Sequence, residues 1–321
     1  MIQRRSALAA LATLPLAAPR LSRADDKTLR LLVGFPAGGG TDAIARLLGE
    51  ALQAALGTTV LVDNRPGAGG QIAAQALKAA APDGNTLFVS HDHTISILPL
   101  VLKHPGFDPA KDFVPVAGFA TFANALALSG GTPAASLPEY LAWVKKQGGQ
   151  GNVGVPAPAS VPEFLVKLLG EKHGLNLLAV PYRGSAPMIS DMLGNQISAG
   201  VGSVPDLIVN HQQKKLRIVA VMGQQRQPVL PEVPTFAELG IAGFEDLPYY
   251  GLFAPAGTPT ATLERLSQAL AGVIAQPAVK ARLSELGLSV GLMTSAQLAS
   301  RERAYAAAWA RIIKAGGFQP Q

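Results

Sequence analysis

Cysteine is absent from all 321 residues of the sequence, which excludes disulfide bonds, thiolate metal sites and a cysteine nucleophile. Charged residues make up only 15%, and no basic stripe with interleaved aromatic residues offers a surface for nucleic acid. The Gly-x-Ser-x-Gly and His-Glu-x-x-His motifs of common hydrolases are missing as well. We therefore expect neither catalytic residues nor a cofactor. An exported hydrolase whose Ser, His and Asp meet only in the fold stays open as an alternative.

The first 24 residues have the pattern of an export signal. Arg4 and Arg5 precede an apolar run over residues 7–18, and Ser22-Arg23-Ala24 supplies small residues around a cleavage site. The run is shorter than the roughly 20 apolar residues needed to span a bilayer. We predict a periplasmic protein cleaved near Ala24, exported by either the general secretory or the twin-arginine route. The alternative is a buried N-terminal helix.

Removing this segment changes the charge balance. Residues 1–24 hold four of the 27 basic residues and no acidic one, so the remainder carries 23 basic against 21 acidic residues. No later apolar stretch is long enough to span a membrane. The basic excess therefore gives no support for nucleic-acid or membrane-surface binding.

Strand-like and helix-like segments alternate through most of the chain, which predicts an α/β fold of mostly parallel sheets flanked by helices. Two turn-rich segments, 119–124 and 246–257, are candidate boundaries between two domains. The predicted strands are 29–35, 58–62, 86–90, 124–128, 153–155, 177–180 and 218–222. The predicted helices are 41–56, 70–80, 136–147, 160–173, 186–194, 204–213, 258–276, 277–286 and 295–315.

A glycine-rich loop at 35–42, Phe-Pro-Ala-Gly-Gly-Gly-Thr-Asp, follows a predicted strand and opens a helix. Free amides at a helix start bind anions. A nucleotide phosphate loop is excluded, because Gly40 stands where that motif needs lysine. Gly38-x-Gly40-x-x-Ala43, with Asp63 about 20 residues on, does match a dinucleotide fingerprint. An exported dinucleotide-binding oxidoreductase, a carboxylate site and a plain glycine-rich turn therefore all stay open.

A second such loop, Asp-Asn-Arg-Pro-Gly-Ala-Gly-Gly at 63–70, follows the next strand. Together the two loops resemble the signature loops of the tripartite tricarboxylate transporter substrate-binding proteins, the Bug or TctC family. Further motifs of this resemblance lie in order along the chain, at 82–87, 107–113, 180–187, 230–235 and 251–259. The resemblance covers essentially everything after residue 24. It is specific because all of these motifs occur together and in the same order.

The resemblance implies a two-lobed periplasmic binding protein of type II, each lobe a mixed, mostly parallel sheet flanked by helices. Lobe 1 would comprise 25–122 plus 248–321, and lobe 2 would comprise 123–247. A cleft between them would capture a small carboxylate through backbone amides and helix N-termini. The implied partners are the membrane subunits of a tripartite tricarboxylate-type transporter or a membrane sensor kinase, with the protein itself a monomer.

The same resemblance implies the residues of the ligand site. The first loop would hold the ligand carboxylate, and segments 90–94, 155–161, 184–185 and 200–205 would complete the cleft. The predicted ligand-binding residues are Phe35, Pro36, Ala37, Gly38, Gly39, Asp42, Ser90, His91, Thr94, Ala157, Ser160, Val161, Tyr182, Gly184, Gly202 and Ser203.

The sequence departs from the family in the second-lobe loops. The loop at 155–163 carries prolines where glycine and serine are usual, and Gly200-Val201-Gly202-Ser203 lacks the Asp or Asn often found there. The ligand is therefore expected to be less polar than citrate at its far end. His91-x-His93 could bind zinc, but no further ligand lies nearby in sequence, so no metal site is predicted.

Overall fold

The computed structural model describes residues 28–315 and 317–320. The predicted export signal at 1–24 lies outside the described residues. Eleven strands run through this part of the chain. They are β1 Leu29–Val33, β2 Val60–Asn64, β3 Thr86–His91, β4 Phe113–Phe122, β5 Asn124–Ser129, β6 Gln150–Val155, β7 Asn176–Pro181, β8 Ala199–Ser203, β9 Leu216–Val221, β10 Tyr249–Pro255 and β11 Leu288–Thr294.

Eleven α-helices of the described chain lie between or beside these strands. They are α1 Gly40–Leu56, α2 Gln71–Lys78, α3 Leu98–Val101, α4 Pro109–Asp112, α5 Leu137–Lys146, α6 Val161–His173, α7 Ser185–Leu193, α8 Val204–Gln212, α9 Thr260–Ala275, α10 Pro277–Glu285 and α11 Ser295–Ala315. Short 3-10 and π-helical turns cover Ala68–Gly70 and His93–Ile97. None of the described helices is long and apolar enough to cross a membrane.

The strands form two sheets, with the order β11-β4-β10-β3-β1-β2 in the first and β7-β6-β8-β5-β9 in the second. The chain crosses from the first sheet to the second between β4 and β5, and returns between β9 and β10. Helices flank both sheets, so the predicted α/β class is confirmed. The topology places the carboxyl ends of β1, β3, β6 and β8 at the edges where the sheets face each other.

Parallel pairing is less frequent than predicted. Four of the nine strand pairs in the described chain are parallel and five are antiparallel. The reason lies at the two crossings. Strands β5 and β10 begin where the chain enters a sheet from its neighbour, so they run away from the facing edge. They are therefore antiparallel to β8 and β3, which run towards that edge.

The two segments expected to be turns are mostly strand. Only Ala123 separates β4 from β5, and β10 occupies most of the second segment. Every residue of β10 is buried, and its Gly251 packs where a Cβ would lie 2.7 Å from Leu298 and 2.9 Å from Phe253. Burial against both neighbours outweighs the low strand propensity of glycine and proline here.

Helix α1 illustrates how the local sequence sets an element beside the cleft. Its Ile44, Leu48 and Leu52 are buried against the first sheet, in the spacing of an amphipathic helix. The helix ends at Gly57, which adopts a left-handed conformation (φ 62°) and donates its amide to Gln53. Its other end, at Gly40, faces the second sheet.

Candidate functional site

A cavity of about 50 Å³ lies between the two sheets. The first sheet and its helices contribute Phe35, Pro36, Gly39, Gly40, Thr41, His91, Asp92, His93, Phe122 and Tyr250 to its wall. The second contributes Asn124, Pro156, Ala157, Ser160, Val161, Pro162, Ser185, Ala186, Ser203 and Asp206. None of the lysine and arginine residues that the structure describes lines the cavity.

The loop after β1 carries the first helix start to the cavity. Gly38 has a positive φ of 86°, which glycine adopts without strain, and its amide donates to Asp42 Oδ2 at 3.0 Å. Asp42 also accepts from Arg46 and Asn64. Burial alone would raise the pKa of Asp42, but these hydrogen bonds outweigh it and lower the pKa. Asp42 therefore holds the loop's shape as a carboxylate.

Four helix N-termini converge on the cavity, from both sheets. They are the first residues of α1, α6, α7 and α8, with Gly39, Ser160, Gly184 and Ser203 as the respective N-cap residues. The first amides of a helix have no partner within it, and the helix dipole adds partial positive charge there. This arrangement attracts an anion without a cationic side chain.

The side chain of Asp206, in the first turn of α8, already occupies part of this positive region. Its Oδ1 accepts from the Gly40 amide of the opposite sheet's helix at 2.6 Å. Its Oδ2 accepts from the hydroxyls of Ser185 at 2.7 Å and Ser203 at 2.6 Å. One carboxylate thus joins the N-termini of three helices and links the two halves of the molecule.

Aromatic rings form another, largely apolar part of the wall. Phe35 stacks on His91 with ring centroids 5.0 Å apart, and Tyr250 meets Phe122 at 4.8 Å and His91 at 5.4 Å. The Tyr250 hydroxyl pairs with Thr41 Oγ1 at 3.0 Å. The cavity therefore combines a hydrogen-bonding pole with a surface suited to a flat or apolar group.

The His-x-His pair lies beside these rings. His91 Nδ1 is 3.2 Å from Asp92 Oδ1. His93 is buried, and this burial lowers its pKa to about 4, so its imidazole is neutral at pH 7. Within the described residues no group of three or more His, Cys, Asp or Glu side chains could hold a metal ion.

Half of the predicted site residues line the cavity: Phe35, Pro36, Gly39, His91, Ala157, Ser160, Val161 and Ser203. The structure does not bring Ala37, Gly38, Asp42, Ser90, Thr94, Tyr182, Gly184 or Gly202 to its wall.

Several of the residues off the wall have other partners. Thr94 donates to the Gly69 carbonyl at 2.8 Å, and Tyr182 to Asp191 at 2.7 Å. Gly184 lies so close to Pro36 that a Cβ would come within 2.6 Å of the proline ring. Asp63, the acidic residue of the dinucleotide fingerprint, pairs with Arg65 at 3.1 Å and does not line the cavity.

Sequence reasoning did not assign Phe122, Asn124, Asp206 or Tyr250 to the site. Asp206 carried one local signal, since Ser203-x-x-Asp206 matches the capping pattern of a helix start. The other three lie next to the crossings between sheets, where no motif marks them. Asn124 is only 6% exposed, and its side-chain amide has no hydrogen-bond partner among the described residues, so it is free to bind a ligand.

Comparison with known proteins gives consistent matches. The model of the tripartite tricarboxylate transporter family receptor, TctC, matches residues 44–318. The periplasmic binding protein BugD is 30% identical, with a TM-score of 0.86 over 92% of this chain and 99% of that chain. Rpa4515 from R. palustris, solved with adipate, is 29% identical, with a TM-score of 0.87 over 92% and 98%. MatC from Rhodopseudomonas palustris, with bound malate, is 29% identical, with a TM-score of 0.82 over 89% and 98%.

Proposed function

This chain belongs to the tripartite tricarboxylate transporter receptor family, and from that premise we propose that it captures a small carboxylate in the cavity between its sheets. It would deliver that ligand to the membrane subunits of a tripartite tricarboxylate-type transporter. We further propose that residues 1–24 direct its export to the periplasm. The family resemblance drawn from the sequence motifs is confirmed by the family match.

The convergence of four helix N-termini on one cavity carries the proposal. A micromolar ligand requires about −8 kcal/mol. A hydrogen bond to a charged group contributes roughly 1.5–3 kcal/mol, and a favourable helix terminus contributes up to about 2 kcal/mol. Four or five such contacts reach this range after the cost of ordering the ligand. The amides that Asp206 leaves unused, together with polar side chains of the wall, are therefore sufficient, in keeping with a wall to which none of the described lysine or arginine residues contributes.

Ligand entry requires the two halves to separate. A cavity of about 50 Å³ has room for only a few water molecules. We propose that residues 25–122 with 248–321 form one lobe, that 123–247 form the other, and that the lobes open and close about the two crossings. Closure would surround the ligand with donors from both lobes and exclude water, which strengthens each hydrogen bond.

The ligand class is proposed from the site and from relatives. Rpa4515 and MatC were solved with adipate and malate respectively, which are both small carboxylates. The test is thermal unfolding of the purified protein with adipate, malate, hexanoate, benzoate, amino acids and NAD(P). A carboxylate present at about 100 times its Kd should raise Tm by about 5 °C. Stabilisation by NAD(P) alone would instead support the dinucleotide-binding alternative.

A single amide can be removed to test the proposed contact. Val161 is the first residue of α6, and proline is well tolerated at this helix position. We expect Val161→Pro to lower carboxylate affinity about tenfold or more, because one donor to a charged group is lost. Leu137→Pro makes the same change at the start of α5, which does not line the cavity, and should leave affinity unchanged. Equal losses in both variants would contradict the proposed contact.

A further inference from the structure

Asp206 lies at the cavity wall, and its carboxylate is bonded to donors at three of the helix starts that face the cavity. Resting on the proposed function, we propose that this residue makes the site selective for a monocarboxylate with an uncharged tail over a dicarboxylate. The proposal goes beyond the ligands found in the related structures, since adipate and malate both carry two carboxylates. It follows from three features of the wall: the donors in use, the charges present and the groups left free.

The first feature is the occupancy of the donors. The Asp206 carboxylate accepts from the Gly40 amide and from the hydroxyls of Ser185 and Ser203, all within 2.7 Å. These donors belong to the starts of three of the four helices that face the cavity. A second ligand carboxylate that used these donors would have to displace Asp206 from them.

The second feature is the charge of the wall. Among the described residues, Asp92 and Asp206 are the only carboxylates of the wall, and no lysine or arginine lines it. Like charges within a few ångströms repel strongly when water is excluded. One ligand carboxylate can be compensated by amides that Asp206 leaves unused, such as the first amide of α6, but a second would meet Asp206 or Asp92 with no cationic side chain of the described wall to compensate it.

The third feature is the set of wall groups that remain free to bind one carboxylate and a neutral tail. The first amide of α6, at Val161, and the unpartnered side-chain amide of Asn124 are donors not used by Asp206. The same wall holds the rings of Phe35, Phe122 and Tyr250, which pack well against an aliphatic or aromatic group. The wall therefore offers a second pole that is apolar instead of cationic.

The test uses two ligand pairs in which only the second carboxylate differs, hexanoate with adipate and benzoate with terephthalate. Affinities are measured by isothermal titration calorimetry for the wild type and for Asp206→Asn. The asparagine keeps the side-chain shape and an acceptor for the Gly40 amide but removes the charge. Glu139→Gln is the matched control, because Glu139 also lies in the first turn of a helix and accepts a backbone amide, but at α5.

We expect the wild type to bind each monocarboxylate about tenfold or more tighter than its dicarboxylate partner. Asp206→Asn should reduce or reverse this ratio by about tenfold, and Glu139→Gln should leave it unchanged. If Asp206→Asn does not fold, Asp206→Ser, with its smaller neutral side chain, replaces it. A wild type that prefers dicarboxylates, or a ratio unchanged in the Asp206 variants, would overturn the selectivity but not the capture of carboxylates. Absence of binding by all four acids would overturn both.

Discussion

Glu302, on α11, is a half-buried residue that does not line the cavity. Its Oε1 has no hydrogen-bond partner among the described residues, and burial raises its pKa from the ordinary 4.5 to about 7. The folded protein therefore binds a proton that the unfolded chain releases between about pH 4.5 and pH 7. The contribution of this carboxyl group to the free energy of unfolding is therefore fully present below pH 4.5 and is lost as the pH rises through 7.

This shift predicts the effect of Glu302→Gln, which replaces the acid by a neutral group of the same shape. At pH 8 we expect the variant to be more stable than the wild type by up to about 3 kcal/mol, and at pH 4 we expect little difference. His93 acts in the opposite sense, because its lowered pKa costs stability as the pH falls from 6.5 to about 4. Only the difference between variant and wild type therefore isolates Glu302.

The measurement is urea unfolding from pH 4 to pH 8. Glu264→Gln, at an exposed position on α9, is the control and should show no comparable gain. A Glu302 variant whose advantage does not grow with pH would show that the carboxyl group is not held protonated.

Residue-level chemistry at the cavity could be predicted only in part. Phe35, Gly39 and His91 can be assigned to the site from sequence, because the loops that contain them themselves form part of the cavity wall. Tyr250 cannot be assigned to the site in this way, because its partner Thr41 is 209 residues away in sequence. No local pattern carries information about such a partner.

At the scale of single elements, helix starts are well determined by the local sequence. Helix α5 begins after Ser136, whose Oγ accepts the Glu139 amide, while the Glu139 carboxylate accepts the Ala135 amide. This reciprocal arrangement satisfies amides that the helix itself cannot pair. No residue of α5 lines the cavity.

Loss of this cap predicts a stability change without a binding change. We expect Ser136→Ala to lower the free energy of unfolding by about 1 kcal/mol, measured by urea unfolding. Ser190→Ala makes the same substitution inside α7, where the hydroxyl only donates back to the Ala186 carbonyl. That control should be neutral or slightly stabilising. Equal destabilisation by both would contradict a capping role for Ser136.

Strands with small residues were harder to predict from sequence. Strand β8 has the sequence Ala-Gly-Val-Gly-Ser, which resembles a loop more than a strand. All its residues are buried, and a Cβ on Gly200 would come within 2.7 Å of the Met192 sulfur. The strand is therefore held by packing from α7 and by pairing with β5 and β6, which only the tertiary structure supplies.

On the scale of the whole molecule, the two halves meet both at the cavity and away from it. On the cavity side, Gly40 contacts Pro205 and Asp206 so closely that a Cβ would lie 3.0 Å from each. On the other side, Trp309 of α11 packs on Phe164 of α6, with ring centroids 5.8 Å apart. We expect the aromatic contact to persist through opening and the Gly40 contact to break.

A bulky residue at Gly40 should therefore oppose closure. We expect Gly40→Leu to weaken carboxylate binding by about 1–3 kcal/mol, because the closed contact becomes overpacked. Small-angle X-ray scattering should show that saturating ligand reduces the radius of gyration less in this variant than in the wild type. Gly272→Ala is the control, since a Cβ there meets open space within α9. Identical contraction in Gly40→Leu and wild type would contradict the closing motion.

The sequence by itself determined the features that depend on neighbouring residues. These are the alternation of strands and helices, the glycine loop that ends β1 and opens α1, and the ordered motifs that identify the family. Short-range chemistry is sufficient for them, because strand periodicity, helix caps and positive φ angles are properties of a few consecutive residues.

Only the tertiary structure decided which helix starts share one cavity and which carboxylate already occupies it. Gly40 and Asp206 are 166 residues apart in sequence and 2.6 Å apart as donor and acceptor. Their meeting depends on the strand order of two sheets and on the two crossings that turn those sheets towards each other. A local pattern shows that a helix can bind an anion at its start, whereas the fold decides whether a ligand or the protein's own side chain provides that anion.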